Sequence, residues 1–260
     1  MSYLYKWILF LPQVFVFVKS GSCMWSKRKQ IKLIASLRGN KLLKDLPQED
    51  LLKLLSEMEE VVWPKHTCNI NKDRTFYYFH FLVSGRLKVY QIEQNTGREF
   101  TFFLLGNTDA FDILCLLDGY EHNVYYEAID RVVLLSLPME RMKIWVSNHP
   151  GVNKNLLPYM SNQMRILEEY ASNVTLVDIS TRLARLILSN INKESRELEL
   201  INDLSNEELA NLIGSTRAVV NRHLQEFKND GIISLGRQKV EIKDIDLLLL
   251  KANKNGASAP

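Results

Sequence analysis

SNEELANLIGSTRAVVNRHLQEFKNDGII, residues 205–233, reads as two short helices joined by a tight turn. Ser205 followed three residues later by Glu208 is a capping box, in which the two side chains satisfy orphan N–H groups at a helix start. Leu209, Ala210 and Ile213 give this first helix an apolar face, and Gly214 supplies the backbone freedom of a sharp exit. Ser215 is placed to cap the second helix. There Val220, Leu224 and Phe227 recur at spacings of four and three, which turns one stripe inward, and Gly231 ends the run.

The opposite face of the second helix carries the chemistry. Residues on a helix advance by about 100°, so Ala218, Asn221, Arg222 and Gln225 share an outward surface, with Arg217 near its N-terminal end and no acid before Glu226. Arg offers a bidentate pair to guanine and Asn or Gln to adenine in the major groove, while Ser215 and Thr216 suit phosphate oxygens. The competing reading is a plain helical hairpin with a solvated polar face. The segment just beyond the second helix favours DNA: IISLGRQKVEI reads as two short strands about Gly236, carrying Arg237 and Lys239 into a wing beside the helix.

Composition is compatible with such a module without announcing it. The chain has 260 residues, 46% hydrophobic and 24% charged, enough for two domains with their own cores. A net charge of +3 is mild, so attraction to phosphate has to come from the local patch of Arg217, Arg222, Arg237 and Lys239. Cys23, Cys68 and Cys115 are scattered and lack C-x-x-C spacing, which points to a reducing cytoplasm. No Gly-rich phosphate loop, metal-ligand cluster or nucleophile beside a base is legible, so no catalytic or metal residue is assigned and an enzyme is not expected.

Upstream the period changes. PQEDLLKLLSEME is a short amphipathic helix, after which FYYFHFLVSG, RLKVYQIEQNTG, REFTFFLLGNTDAF and VYYEAIDRVVLLSLP read as strands separated by Gly turns, the pattern of a small antiparallel barrel or jelly roll. Over residues 150–177, Leu157, Met160, Met164, Leu167, Ala171 and Val174 step by three and four. That is an a/d seam for a helix partner, although a helix packed on its own domain has the same pattern. Pro158 marks the start of that helix or a bend. Asp178 then opens STRLARLILSNI, with a hinge expected near Val177.

With these elements in place, residues 45–250 resemble the Crp/Fnr family of bacterial transcription regulators. The resemblance rests on DISTRLARLILSNI, the capping box, Ala210, Gly214, Val220, Arg217 with Arg222, and the DGII that leads into the wing. It implies an α+β chain: an N-terminal β-roll (jelly-roll) sensor domain over 24–149, a dimerisation helix over 150–177, a winged helix-turn-helix DNA-binding domain over 178–252, and a tail over 253–260. It further implies a homodimer on palindromic double-stranded DNA and RNA polymerase as a partner. Arg217 is then a backbone or base contact and Arg222 a reader of guanine. Ala218 stands where most of the family has a Glu that accepts from cytosine, so the usual half-site is in doubt at that base pair.

The same resemblance locates an effector pocket and argues against its usual ligand. Phe111-Asp112 and His122-Asn123 stand where the family's cyclic-nucleotide binders have Gly-Glu and Arg-Ser or Arg-Thr, and Leu167-Glu168 replace hydroxyl residues that meet the base. Without the Arg, and with Asp112 present, cyclic AMP is disfavoured. Three scattered cysteines do not make an iron–sulfur site. Haem is left open through His66, His80 or His122, so the cofactor is unassigned. A different class of function also stays open, a sensor or adaptor whose winged helix contacts protein. Finally, residues 7–18, WILFLPQVFVFV, are nearly all apolar but interrupted by Pro12 and short for a span. Residues 1–23 are read as coming from an upstream start or as a poorly ordered extension, and if they are not native no membrane is expected.

Overall fold

The computed structural model describes residues 25–70, 75–192, 195, 197–236 and 239–253; the expectations for residues 1–23 and most of the 253–260 tail lie outside them. Eight strands alternate inward and outward side chains: β1 Glu59–Trp63, β2 Cys68–Ile70, β3 Tyr78–Ser84, β4 Leu87–Ile92, β5 Glu99–Leu105, β6 Ala110–Phe111, β7 Tyr125–Ala128 and β8 Val132–Pro138. They pair antiparallel in two four-stranded sheets, β1-β8-β3-β6 and β2-β7-β4-β5. One-residue register shifts at Leu82/Ser84 and Val89/Tyr90 bend the strands.

The period of two explains how one strand serves two cores. Leu82 and Leu134 point between the sheets with Trp63, Leu87, Val89 and Tyr126. Their neighbours Phe81 and Leu135 point outward and bury helices α1 Lys27–Gly39, α2 Gln48–Ser56 and α4 Met139–Asn148. Each such side chain contributes about 1.5–3 kcal/mol on leaving water. Gly85 closes the turn between β3 and β4 at φ +92, where an added Cβ would lie 2.6 Å from the Arg131 carbonyl oxygen, so only glycine fits.

Several elements escape the reading of the sequence. α1, α4, β1, β2 and the short α3 Ile113–Asp118 are not among those expected; α3 is a single turn and a half with no N-terminal side-chain cap. Helix α5 runs Pro150–Leu176, so it neither begins at nor is broken by Pro158. Pro150 sits in its first turn, where the missing N–H costs nothing. Beyond it lie α6 Ile179–Ser189, α7 Asn206–Ile213, α8 Arg217–Asn229, β9 Ile233–Gly236, β10 Lys239–Ile242 and α9 Ile245–Ala252. They share a separate core built on Leu183, Ile187, Leu209, Val220, Leu224 and Phe227.

His80, one of the three histidines considered for haem, is a core residue. It is buried, hydrogen-bonded to Ser136 Oγ at 2.7 Å and stacked on Phe111 at 4.7 Å between ring centres. Burial pushes its pKa down to about 3. The folded chain therefore keeps His80 neutral where the unfolded chain, with an ordinary pKa near 6.5, binds a proton. Stability falls as pH drops below 6.5, by up to about 1.4 kcal/mol per unit until the folded value is reached. Denaturation of wild type and His80→Asn at pH 7 and pH 5 should show wild type losing about 2 kcal/mol more than the variant. Parallel losses would exclude His80 as the source.

Candidate nucleic-acid interface

The helix pair is built as its sequence requires. Glu208 N donates to Ser205 Oγ at 3.2 Å and Ser205 N to Glu208 Oε2 at 2.6 Å, the reciprocal capping box. Gly214 ends α7 in the left-handed region at φ +64. Arg182 of α6 donates to the Ile213 carbonyl at 2.7 Å and so occupies one of the acceptors α7 leaves open at its C-terminal end. α8 begins one residue later than expected: its N-cap is Thr216, whereas Ser215 is half-buried and its Oγ meets no hydrogen-bond partner among the described residues. Ser215 is thus corrected from the cap of α8 to part of the turn.

Ala218, Asn221, Arg222 and Gln225 all lie exposed on α8, with Arg217 and Thr216 exposed at its start, while Val220, Leu224 and Phe227 are buried beneath. Asn221 Oδ1 accepts from Asn206 Nδ2 at 3.1 Å, which ties the reading face to the first turn of α7. Arg222 Nε lies 3.9 Å from Glu226 Oε1, an exposed pair that leaves the guanidinium accessible. The wing pairs β9 with β10, and Lys239, exposed, lies 3.3 Å from Glu241. Arg237 lies outside the described residues.

The seam of α5 is mostly uncovered within one chain. Leu157 and Met164 are 74% and 68% exposed, Leu167 and Ala171 are also exposed, and Met160 is half-buried against the β-roll helices. Val174 is partly turned aside, its Cγ2 near Gly214 of the helix-turn-helix. In the β-roll, Phe111, Asp112 and His122 line one cavity between the sheets, α3 and α5, but Asn123 is exposed outside it, its carbonyl accepting from Gln91. His66 is exposed and lies 3.6 Å from Glu127. Among the described residues no three His, Cys, Asp or Glu side chains gather as metal ligands, and no helix is long and apolar enough to cross a membrane.

One group without a signal in the sequence joins the two halves. Arg86, in the turn after Gly85, donates from Nε and Nη2 to Asp130 at 2.6 and 2.9 Å, a bidentate fork. Its Nη1 donates to the Leu200 carbonyl at 3.1 Å and to the Asn202 carbonyl, both in the turn that enters α7. The bond to Asp130 holds the Arg86 pKa up and that of Asp130 down. Beside it, Asn211 of α7 donates to Glu99 at 3.2 Å, and Glu99 and Glu127 flank buried Lys88 at 3.1 and 2.8 Å. Burial opposes the Lys88 charge, but the two carboxylates outweigh it and its pKa is raised. Ile129 and Leu104 pack into the helix-turn-helix core.

A β-roll joined by a long helix to a winged helix-turn-helix defines a two-domain DNA-binding protein. Residues 181–250 match the model of the Crp-like helix-turn-helix domain. The chain is 25% identical over 203 residues to the CRP-like cAMP-activated global transcriptional regulator of Mycobacterium tuberculosis, covering 76% of this chain and 90% of that one. In fold it is similar to a Crp/Fnr-family regulator from Eubacterium rectale, with 24% identity, a TM-score of 0.64 and coverage of 83% and 99%. FixK2 of Bradyrhizobium japonicum is similar too, with 17% identity, a TM-score of 0.66 and coverage of 78% and 99%. Residues 181–250 are thus a Crp-like helix-turn-helix domain, and over most of its length the chain is similar to DNA-binding transcription regulators of the Crp/Fnr type.

Truncating Arg86→Ala strands the Asp130 carboxylate and two carbonyls, a loss of about 1–3 kcal/mol confined to the junction. Hydrogen exchange at the amides of Asn202 and Leu204 should then quicken roughly 5- to 150-fold, with the β-sheet amides unchanged. Equal exchange in both proteins would show that the fork does not hold this turn.

Proposed function

We propose that the protein acts as a homodimer on a palindromic operator, reading each half-site through α8 and answering through its β-roll to a signal other than cyclic AMP. The observation that carries this reading is a coincidence of exposures: the α8 face Ala218, Asn221, Arg222 and Gln225 and the α5 seam Leu157, Met164, Leu167 and Ala171 are open to solvent at the same time. A protomer docked as Arg86 docks it can therefore pair with a second copy and meet DNA without rearranging either surface. Two parallel seams bring two α8 helices to one side of the dimer, the arrangement that reads half-sites one helical turn apart. Thr216, Arg217 and Lys239 suit the flanking phosphates. Contact with RNA polymerase is implied by the resemblance to the family alone.

Against cyclic AMP stands the lining of the β-roll cavity. A cyclic phosphodiester is an anion and needs a cation or a nest of amides. Among the described residues no Lys or Arg lines the cavity, and Asp112 places a carboxylate at its wall.

Selection of bound sequences from a random DNA pool tests the reading directly. The selected motif should be palindromic, and Arg222→Ala should relax one base pair of each half-site at a cost of about 1–3 kcal/mol. An unchanged motif and affinity would remove α8 as the reader. Leu167→Lys sets two like charges across the seam and should shift sedimentation from dimer to monomer, with operator affinity falling in step. A variant that still sediments as a dimer would take α5 out of the interface.

A further inference from the structure

The β-roll carries a cavity of about 210 Å³, open to solvent on one side, whose wall opposite the strands is α5 itself. Val89, Phe103, Leu105 and Phe111 line one side; Met160 and Leu167 line the other. Four of its polar groups pair off: the Tyr126 hydroxyl donates to Asp112 Oδ1 at 2.6 Å, and Tyr159 is hydrogen-bonded to Gln163; burial holds the pKa of His122, which also lines the cavity, below its ordinary value. A guest entering this space meets carbon on most sides, with the Asp112 carboxyl and the His122 ring at the wall and no Lys or Arg among the described residues that line it.

We propose that this cavity binds a small, uncharged and largely apolar molecule, of the size of one substituted ring, and that this is the signal the β-roll reads. The inference rests on the reading of the β-roll as a sensor that does not take cyclic AMP, and it assigns the chemistry that replaces it.

Size, charge and placement each narrow the class. An apolar cavity of about 150 Å³ stays dry and holds benzene, whereas sites for drug-sized ligands run from about 300 Å³; 210 Å³ lies between them and fits one ring with a short substituent. An anion would be stripped of water and set beside the Asp112 carboxylate with no cation to offset it, so anions are excluded far more strongly than neutral isosteres. Apolar burial drives binding of the neutral form. The placement gives the guest a consequence: Met164 and Leu167 belong both to the cavity mouth and to the exposed seam of α5, the helix that leads into the DNA-binding domain. A molecule held against them changes the free energy of that helix face, and it can act only through such a difference between states.

The full chain should be titrated calorimetrically, without DNA, with benzyl alcohol and indole as neutral probes and with benzoate and cyclic AMP as anionic ones. Measurable binding is expected for the neutral pair and at least tenfold weaker binding for the anions. Val89→Phe and Ala110→Leu fill the space from two strands, and each should abolish the neutral binding while circular dichroism and operator binding confirm a folded chain. Asp112→Asn keeps the acceptor for Tyr126 and tolerates the left-handed backbone at φ +65; benzoate should bind this variant more tightly than wild type. Absence of binding by any neutral probe, binding that survives both filling variants, or preference for an anion would each overturn the proposal. Operator affinity is measured separately on the same samples. Absence of ligand binding by wild type that still binds DNA refutes the cavity alone, whereas failure of wild type to bind DNA both with and without the neutral probes refutes the regulator reading.

Discussion

A guanidinium presents its N–H donors in one plane, and Arg86 uses both edges of that plane at once. One edge grips Asp130, which fixes the group against the turn between β7 and β8; the other faces carbonyls of the turn that enters α7. Because the fork to Asp130 sets the direction of the remaining donors, the position of the helix-turn-helix follows from the geometry of a β-roll corner. Gly85 makes this possible, since a side chain there would strike Arg131 and move the very corner from which Arg86 projects. A lysine at this place would carry the charge but not the two-sided geometry. The apolar contacts nearby, Leu104 and Ile129 against the second core and Leu200 against Gly106, add area without choosing a direction.

The DNA-binding half was legible because its determinants are local. A capping box, a left-handed glycine and apolar stripes at spacings of three and four act over single turns of chain, and the structure returns them with a shift of one residue at the α8 cap. That shift has a physical cause: Gly214 and Ser215 both belong to the turn, since the Ser215 amide still bonds back to the Ala210 carbonyl, so the first residue free to cap is Thr216. The strands of the β-roll were legible for the same reason, as aromatic and β-branched runs between glycines. α1 and α4, helices of 13 and 10 residues, escaped although their length could have shown a period; the other elements that escaped were short. β1 and β2 are five and three residues, too brief to show a period, and α3 has no N-terminal cap.

The junction was illegible for a different reason. Arg86 and its partner carbonyls are 114 and 116 positions apart, and Asn211 is 112 from Glu99. A carbonyl acceptor leaves no trace in a sequence, because every residue has one. The effector positions fared between these extremes. Phe111, Asp112 and His122 converge on one cavity, yet Asn123, adjacent in sequence to His122, points away because the segment before β7 runs along the rim and uses the Asn123 carbonyl to hold Gln91. Adjacent residues on an extended segment face opposite sides, so a dipeptide carried over as a pair delivers one member.

Two departures from the usual pattern of the family share a logic. At Ala218 an acceptor for a base is missing, and at the β-roll cavity a cation for a phosphate is missing; in both, a specific polar contact gives way to apolar surface. At the DNA face the loss is partial, since Asn221, Arg222 and Gln225 retain donors on either side of the methyl group, which can itself rest on a thymine methyl. In the cavity the change goes further, because Tyr126 bonds to Asp112 and Tyr159 to Gln163. An apolar site forfeits hydrogen-bond discrimination, and selectivity then falls to shape and to the exclusion of charge, which Asp112 enforces at the cost of one buried carboxylate held by Tyr126. On the proposed reading, the cavity selects by charge and size and is permissive about chemical detail, while α8 keeps directional donors where sequence must be distinguished.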